Sequence, residues 1–140
     1  IYFITFATIY LFCPISILYM HKKDSFIGRR LKGCGYAIKG AYMLLKNEDS
    51  IQVQAIIAIL VTIAGFYFEI SATEWIMQVF AIGLVMSIEG VNTAAEEIAN
   101  FVHPDFHNKI GYIKDVAAGA VFFAAIAAVI VACIIYIPKF

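Results

Sequence analysis

Three long apolar runs divide the second part of the chain, and polar residues gather between them. The runs cover about 51–68, 75–88 and 116–137. At ~1.5 Å rise per helical residue, the first and third approach the ~30 Å hydrocarbon thickness of a bilayer. The second is short by itself, but it gains length if the helix continues to about residue 100. The pattern therefore predicts three transmembrane helices, at about 51–68, 75–100 and 116–137.

Composition supports a membrane protein. Of the 140 residues, 63% are hydrophobic and 14% are charged, and the mean hydropathy is +0.88. About a quarter of the residues are charged in a typical soluble domain, and a soluble fold of this length could not bury so much apolar surface. No basic patch interleaved with aromatic residues occurs, so nucleic-acid binding has no support.

The placement of Lys and Arg predicts the orientation of these helices. Seven of the ten basic residues precede the first run, and the connection 69–74 contains none. By the positive-inside rule, the basic N-terminal segment and the region 89–115 face the cytoplasm, while Phe140 lies outside. The polar region 89–115 would then face the compartment that contains nucleotides.

The segment before the first span alternates apolar and basic residues over about 24–46. This pattern is typical of a helix lying at the membrane surface, with Lys and Arg near the head groups. A merely solvated basic helix is the alternative.

Residues 1–19 are also apolar, but Pro14 interrupts them. They are either an extra hydrophobic segment or sequence upstream of a start at Met20. We favour the second and expect the functional domain to cover 20–140.

The region after the second run carries four polar residues at helical spacing. If the helix continues, Glu89, Asn92, Glu96 and Asn100 fall at i, i+3, i+7 and i+11, on one stripe. Ionisable side chains at membrane depth are costly and usually functional. The alternative is the polar face of an amphipathic helix leaving the bilayer.

Standard metal and nucleotide motifs are missing from the sequence. The three cysteines have no C-x-x-C spacing, and the three histidines form no H-E-x-x-H pattern. The glycines at 33–40 fit neither G-x-G-x-x-G nor a P-loop. If the chain handles ATP, it must do so with carboxylates, a divalent cation and scattered cationic side chains.

Two sequence elements carry a resemblance to a known family. They are EGVNTAAE at 89–96 and KDVAAGAV at 114–121, accompanied in order by Arg29, Gly35-Tyr36, Lys39-Gly40, Asn47-Glu48 and His107. From about residue 25 onward the chain resembles the small prokaryotic diacylglycerol kinases, which include undecaprenol kinases. The resemblance implies an all-α homotrimer in the bacterial plasma membrane. Each subunit would have an interfacial amphipathic helix and three spans, with active sites at the cytoplasmic face shared between subunits.

The resemblance also implies the reaction. The family transfers the γ-phosphate of ATP to the hydroxyl of diacylglycerol or undecaprenol, giving phosphatidic acid or undecaprenyl phosphate. Glu89 matches the catalytic base, Arg29 and Glu89 the lipid contacts, and Glu48 and Glu96 the carboxylates that bind Mg²⁺. The matching ATP contacts are Arg29, Tyr36, Glu48, Asn92, Glu96, Asp105, Phe106, His107, Lys114 and Asp115.

One position departs from the family, and one alternative function remains. Asn100 stands where many members carry an acidic residue, although an amide can still form hydrogen bonds. The alternative is a non-enzymatic membrane oligomer that conducts protons or ions along the Glu89 and Glu96 stripe. The pair Lys114 and Asp115 and the interfacial Glu48 favour the kinase, because a pore would not need them there.

Overall fold

The computed structural model describes residues 25–105 and 107–140, and these residues are helical apart from short connections. The helices are α1 (Phe26–Asn47), α2 (Asp49–Tyr67), α3 (Ala72–Val102) and α4 (Asn108–Tyr136), followed by a 3₁₀ turn at Ile137–Lys139. Two units can be distinguished, one ending at Asn47 and one covering Glu48–Phe140. The hydrophobic segment 1–19 and the expected ATP contact Phe106 lie outside the described residues.

Three helices are long and apolar enough to cross a membrane. They are Asp49–Tyr67, Ala72–Val102 and the stretch Asn108–Lys139, which confirms the predicted number of helices able to span a membrane. Helix α3 is continuous over 31 residues, so the short apolar run and the polar stripe after it belong to one helix. At ~1.5 Å per residue this helix is about 46 Å long, more than the hydrocarbon thickness, so part of it extends beyond the apolar layer.

The start of α4 differs from the sequence prediction. The third span was expected from about 116, with Lys109 and Lys114 in the connection before it, but the helix begins at Asn108. His107 is the N-cap residue, and its Nδ1 accepts a hydrogen bond from the Lys109 backbone N–H at 3.2 Å. The predicted span at about 116–137 thus lies within a longer helical stretch, Asn108–Lys139, because a helix that extends past the bilayer can carry charged residues in its first two turns.

The turn between α2 and α3 is fixed by a reciprocal cap, and we call this end of the bundle the turn end (residues 68–71). The Ser71 Oγ accepts from the Glu74 backbone N–H at 3.4 Å, and a Glu74 carboxylate oxygen accepts from the Ser71 N–H at 2.6 Å. Two of the orphan N–H groups of the α3 N-terminus are thereby paired. Glu69, with a φ of 48°, turns the chain in the left-handed region.

A buried polar network joins the three spanning helices near the turn end. Gln78 of α3 is 5% exposed, and its Nε2 donates to the Val61 carbonyl of α2 at 3.2 Å. The Tyr136 hydroxyl of α4 lies 2.9 Å from that carbonyl and 2.6 Å from Gln78 Oε1. Polar groups at membrane depth need such partners, so this network fixes the three helices against one another at this level.

We expect Gly65→Ala to destabilise the turn end. A Cβ on Gly65 would lie 2.8 Å from Trp75 Cη2 and 3.1 Å from Ile70 Cδ1, so the indole or the helices must shift. Overpacking of this kind costs about 1–3 kcal/mol. Thermal unfolding in detergent measures the loss. Gly83→Ala is the matched control, because nothing lies within 4 Å of its added Cβ. Equal losses in the two variants would contradict the packing argument.

Candidate active site

The polar stripe of α3 passes from a buried to an exposed environment. Glu89 is 7% exposed and Asn92 9% exposed, whereas Glu96 is half-buried and Asn100 is exposed. The four residues lie on one continuous helix, as the spacing predicted. A carboxylate that is largely withdrawn from water therefore lies about three turns from the exposed Asn100. We call the end of the bundle that contains Asn100 and the start of α4 the site end.

Asn92 and Glu96 are joined within the stripe. The Asn92 Nδ2 donates a hydrogen bond to Glu96 Oε1 at 2.9 Å. This bond orients one carboxylate oxygen of Glu96 and leaves the other available. The Asn92 Oδ1 is buried and has no hydrogen-bond partner. Because buried polar atoms are normally paired, this oxygen is an acceptor suited to a donor group on a bound molecule.

Lys114 links α4 to the same stripe. Its Nζ donates to Asn100 Oδ1 at 2.7 Å, one turn beyond Glu96 on α3. Lys114 is half-buried, while its neighbour Asp115 is exposed. A cation is thereby held close to the exposed end of a row of carboxylate and amide groups.

The connection between α3 and α4 contains two predicted nucleotide contacts that the structure describes, Asp105 and His107. His103 Nδ1 lies 3.0 Å from the Asp105 carbonyl oxygen, and the His103 and His107 ring centroids are 5.3 Å apart. Asp105 and His107 are both exposed. The His107 imidazole therefore has a local role as the cap of α4, and its accessible position also suits a ligand contact.

Glu48 immediately precedes α2 and is half-buried. Its backbone carbonyl accepts from the Gln52 N–H at 3.0 Å, but its side chain makes no capping hydrogen bond. The carboxylate is thus not used to begin the helix.

The remaining predicted contacts lie on α1. Arg29 is half-buried and Tyr36 is exposed on this helix, which belongs to the other unit. Within 25–105 and 107–140, no three His, Cys, Asp or Glu side chains cluster as a metal site.

An apolar cavity of about 290 Å³ lies between α2, α3 and α4. Gln54, Met86 and Ala125 are among the residues lining it, and Gln78 and Tyr136 line it nearer the turn end. Met86 is one turn of α3 before Glu89. The Gln54 Oε1 is buried without a hydrogen-bond partner. The sequence reasoning missed Gln54 and Gln78, although a glutamine inside an apolar run is itself a signal of this kind.

A comparison with protein families decides the class of this site. The model of the family described as prokaryotic diacylglycerol kinase matches residues 35–136. The chain belongs to the prokaryotic diacylglycerol kinase family. It is therefore a lipid kinase, a phosphotransferase acting on an alcohol group, and its three membrane-capable helices agree with a bacterial membrane protein. Family membership does not favour the ion-conducting alternative.

Individual relatives of this lipid kinase carry two names. It is 33% identical to the undecaprenol kinase of Bacillus subtilis (strain 168) over 113 residues, which cover 81% of this chain and 92% of that protein. It is 28% identical to the diacylglycerol kinase of Escherichia coli (strain K12) over 107 residues, covering 76% of this chain and 88% of that protein. The similarity thus covers nearly the whole of both relatives.

Proposed function

We propose that this lipid kinase transfers the γ-phosphate of ATP to the hydroxyl of diacylglycerol or undecaprenol at the cytoplasmic face of the membrane. The observation that carries the proposal is the position of Glu89. Along α3, the buried Glu89 follows Met86, which lines the apolar cavity, by one turn and precedes the hydrogen-bonded pair Asn92 and Glu96. A lipid alcohol needs an apolar surface for its tail and a polar site for its reacting end, and Glu89 stands between residues of these two kinds in the helix.

Glu89 serves as the general base in this proposal. A primary alcohol is a poor nucleophile at neutral pH, so removing its proton as the phosphoryl group transfers lowers the barrier. The hydroxyl oxygen forms a bond to the γ-phosphorus, the bond from that phosphorus to the β–γ bridging oxygen breaks, and ADP leaves. The hydroxyl proton passes to the Glu89 carboxylate.

Glu48 and Glu96 would hold the Mg²⁺ ion. Mg²⁺ prefers hard oxygen ligands and commonly takes one or two carboxylates, with phosphate oxygens and water completing its coordination. The donor set fits, because the Glu48 carboxylate is not used as a cap and Glu96 keeps one oxygen outside its bond with Asn92. When bound, the ion neutralises charge on the ATP phosphates. Asn92 orients Glu96.

The remaining predicted contacts would complete the nucleotide and lipid sites. Lys114 supplies a cation for the phosphates, and Asp115 bonds or orients the nucleotide. Asp105, Phe106 and His107 lie beside the adenosine in this proposal. From α1, which we place at the membrane interface, Arg29 would contact ATP and lipid, and Tyr36 would contact ATP. We further propose a homotrimer whose active sites are shared between subunits.

A side-by-side assay tests the proposal and identifies the substrate. Purified protein is incubated with γ-labelled ATP and Mg²⁺ in mixed micelles containing diacylglycerol or undecaprenol at equal surface concentration. We expect label in phosphatidic acid or undecaprenyl phosphate, and the ratio of the two kcat/KM values identifies the preferred lipid. Removal of the divalent cation should stop the transfer. Failure to label either lipid, with protein shown to be folded, would overturn the proposal.

A further inference from the structure

Asn100 is the residue that brings the Lys114 ammonium to the stripe. Lys114 belongs to α4, whereas the carboxylates and Asn92 belong to α3. At the site end, a hydrogen bond of 2.7 Å from Lys114 Nζ to Asn100 Oδ1 joins α4 to α3. Asn100 lies at i+4 from Glu96 and so extends the same face of α3. The bond therefore sets where the cation lies relative to Glu96.

From this geometry we infer that Asn100 is a positioning residue for ATP binding that acts through Lys114. The inference rests on the proposed contact between Lys114 and the ATP phosphates. An ammonium has three N–H donors, so one can remain on Asn100 while two bind phosphate oxygens. Fixing a lysine side chain costs conformational entropy. Because Asn100 already restricts Lys114 before ATP arrives, part of that loss does not fall on the binding step.

The acceptor is also uncharged, and this affects how strongly Lys114 attracts phosphate. A carboxylate in the same place would form an ion pair and cancel much of the positive charge, whereas an amide oxygen leaves the full charge in place. The end of α3 and the start of α4 are largely exposed here, and Lys114 itself is only half-buried, so part of its side chain remains accessible. Asn100 thus combines a fixed position for Lys114 with an undiminished charge.

The primary test compares Asn100→Ala with the wild-type kinase in steady-state assays that vary MgATP at saturating lipid. We expect the KM for MgATP to rise about three- to tenfold, the scale of one partly exposed hydrogen bond to a charged group, with kcat within about twofold. Asn108→Ala is the matched control, since it removes another exposed amide at the start of α4, and its KM should match that of the wild type.

A double-variant comparison separates positioning from a general structural effect. If Asn100 acts only through Lys114, adding Asn100→Ala to Lys114→Ala should change the KM for MgATP by less than about twofold. An equally large effect in both backgrounds, or a wild-type KM for Asn100→Ala alone, would overturn the inference. A wild-type KM for Lys114→Ala would instead remove Lys114 from the proposed ATP site, so the two failures can be distinguished.

Asn100→Asp tests the importance of an uncharged acceptor. The aspartate keeps an acceptor for Lys114 but adds a negative charge near the phosphates. We expect a higher KM for MgATP than in the wild type and a weaker dependence of that KM on salt between about 0.05 and 0.5 M, because the net attraction available for screening is smaller. A KM and salt dependence equal to those of the wild type would contradict the role of the neutral acceptor.

Discussion

Glu89→Gln should slow phosphoryl transfer by about 100-fold or more, the scale of general-base catalysis, while leaving the fold intact. Glutamine has nearly the same shape as glutamate but cannot take the proton from the lipid hydroxyl. The loss should appear in kcat at saturating lipid and MgATP, because the interaction that disappears is made only in the transition state. The measurement is the initial rate of labelled lipid formation by purified protein.

Two controls separate loss of the catalytic base from a general effect on folding. Glu97→Gln makes the same substitution at an exposed position of α3, about 100° around the helix from Glu96, and should keep near-wild-type activity. Size-exclusion chromatography and thermal unfolding of Glu89→Gln should match those of the wild type. Near-wild-type activity would remove Glu89 from the role of base. If Glu89→Gln lost both its oligomeric state and its activity, Glu89 would have a structural role instead.

Glu48→Ala and Glu96→Ala should each reduce Mg-ATP-dependent transfer below about 1% of wild type, because each would remove a ligand of the same proposed Mg²⁺ site. The double variant should have almost the same residual activity as either single variant, because the first substitution already removes the shared site. The rates are measured over a range of Mg²⁺ concentrations. Strictly additive losses would indicate two separate sites.

Glu69→Ala is a control for this pair, because Glu69 is an exposed carboxylate at the turn end, where no metal contact is proposed. It should retain transfer and the wild-type Mg²⁺ requirement. Partial activity of Glu96→Ala that recovers at high Mg²⁺ supports a weakened metal site. Full activity at low Mg²⁺ in either single variant contradicts the assignment.

The spans could be predicted because length and hydropathy decide whether a helix can cross a bilayer. The continuous α3 followed from the same reasoning, since the stripe from Glu89 to Asn100 kept helical spacing beyond the apolar run. The start of α4 could not be found this way. Lys109 and Lys114 resemble a polar connection in sequence, and only the cap formed by His107 distinguishes them from one.

The sequence predicts which polar residues share a face of α3 better than it predicts which side chains meet across helices. Spacing along one helix predicts that Asn92 and Glu96 share a face, and they form a hydrogen bond. Spacing cannot predict that Lys114 meets Asn100, because the rotation of α4 against α3 depends on how both surfaces pack. The same limit applies to Gln78, whose partners lie on two other helices.

The three spanning helices are fastened unequally along their length. At the turn end, Gln78, Tyr136 and the Val61 carbonyl form a buried network, and Lys139 approaches Glu74 at 3.4 Å. At the site end, the described side chains join α3 to α4 through an exposed hydrogen bond from Lys114 to Asn100. The polar bonds between these helices are therefore buried at the turn end and exposed at the site end, so substitution of Gln78 or Tyr136 should cost the bundle more stability than substitution of Asn100.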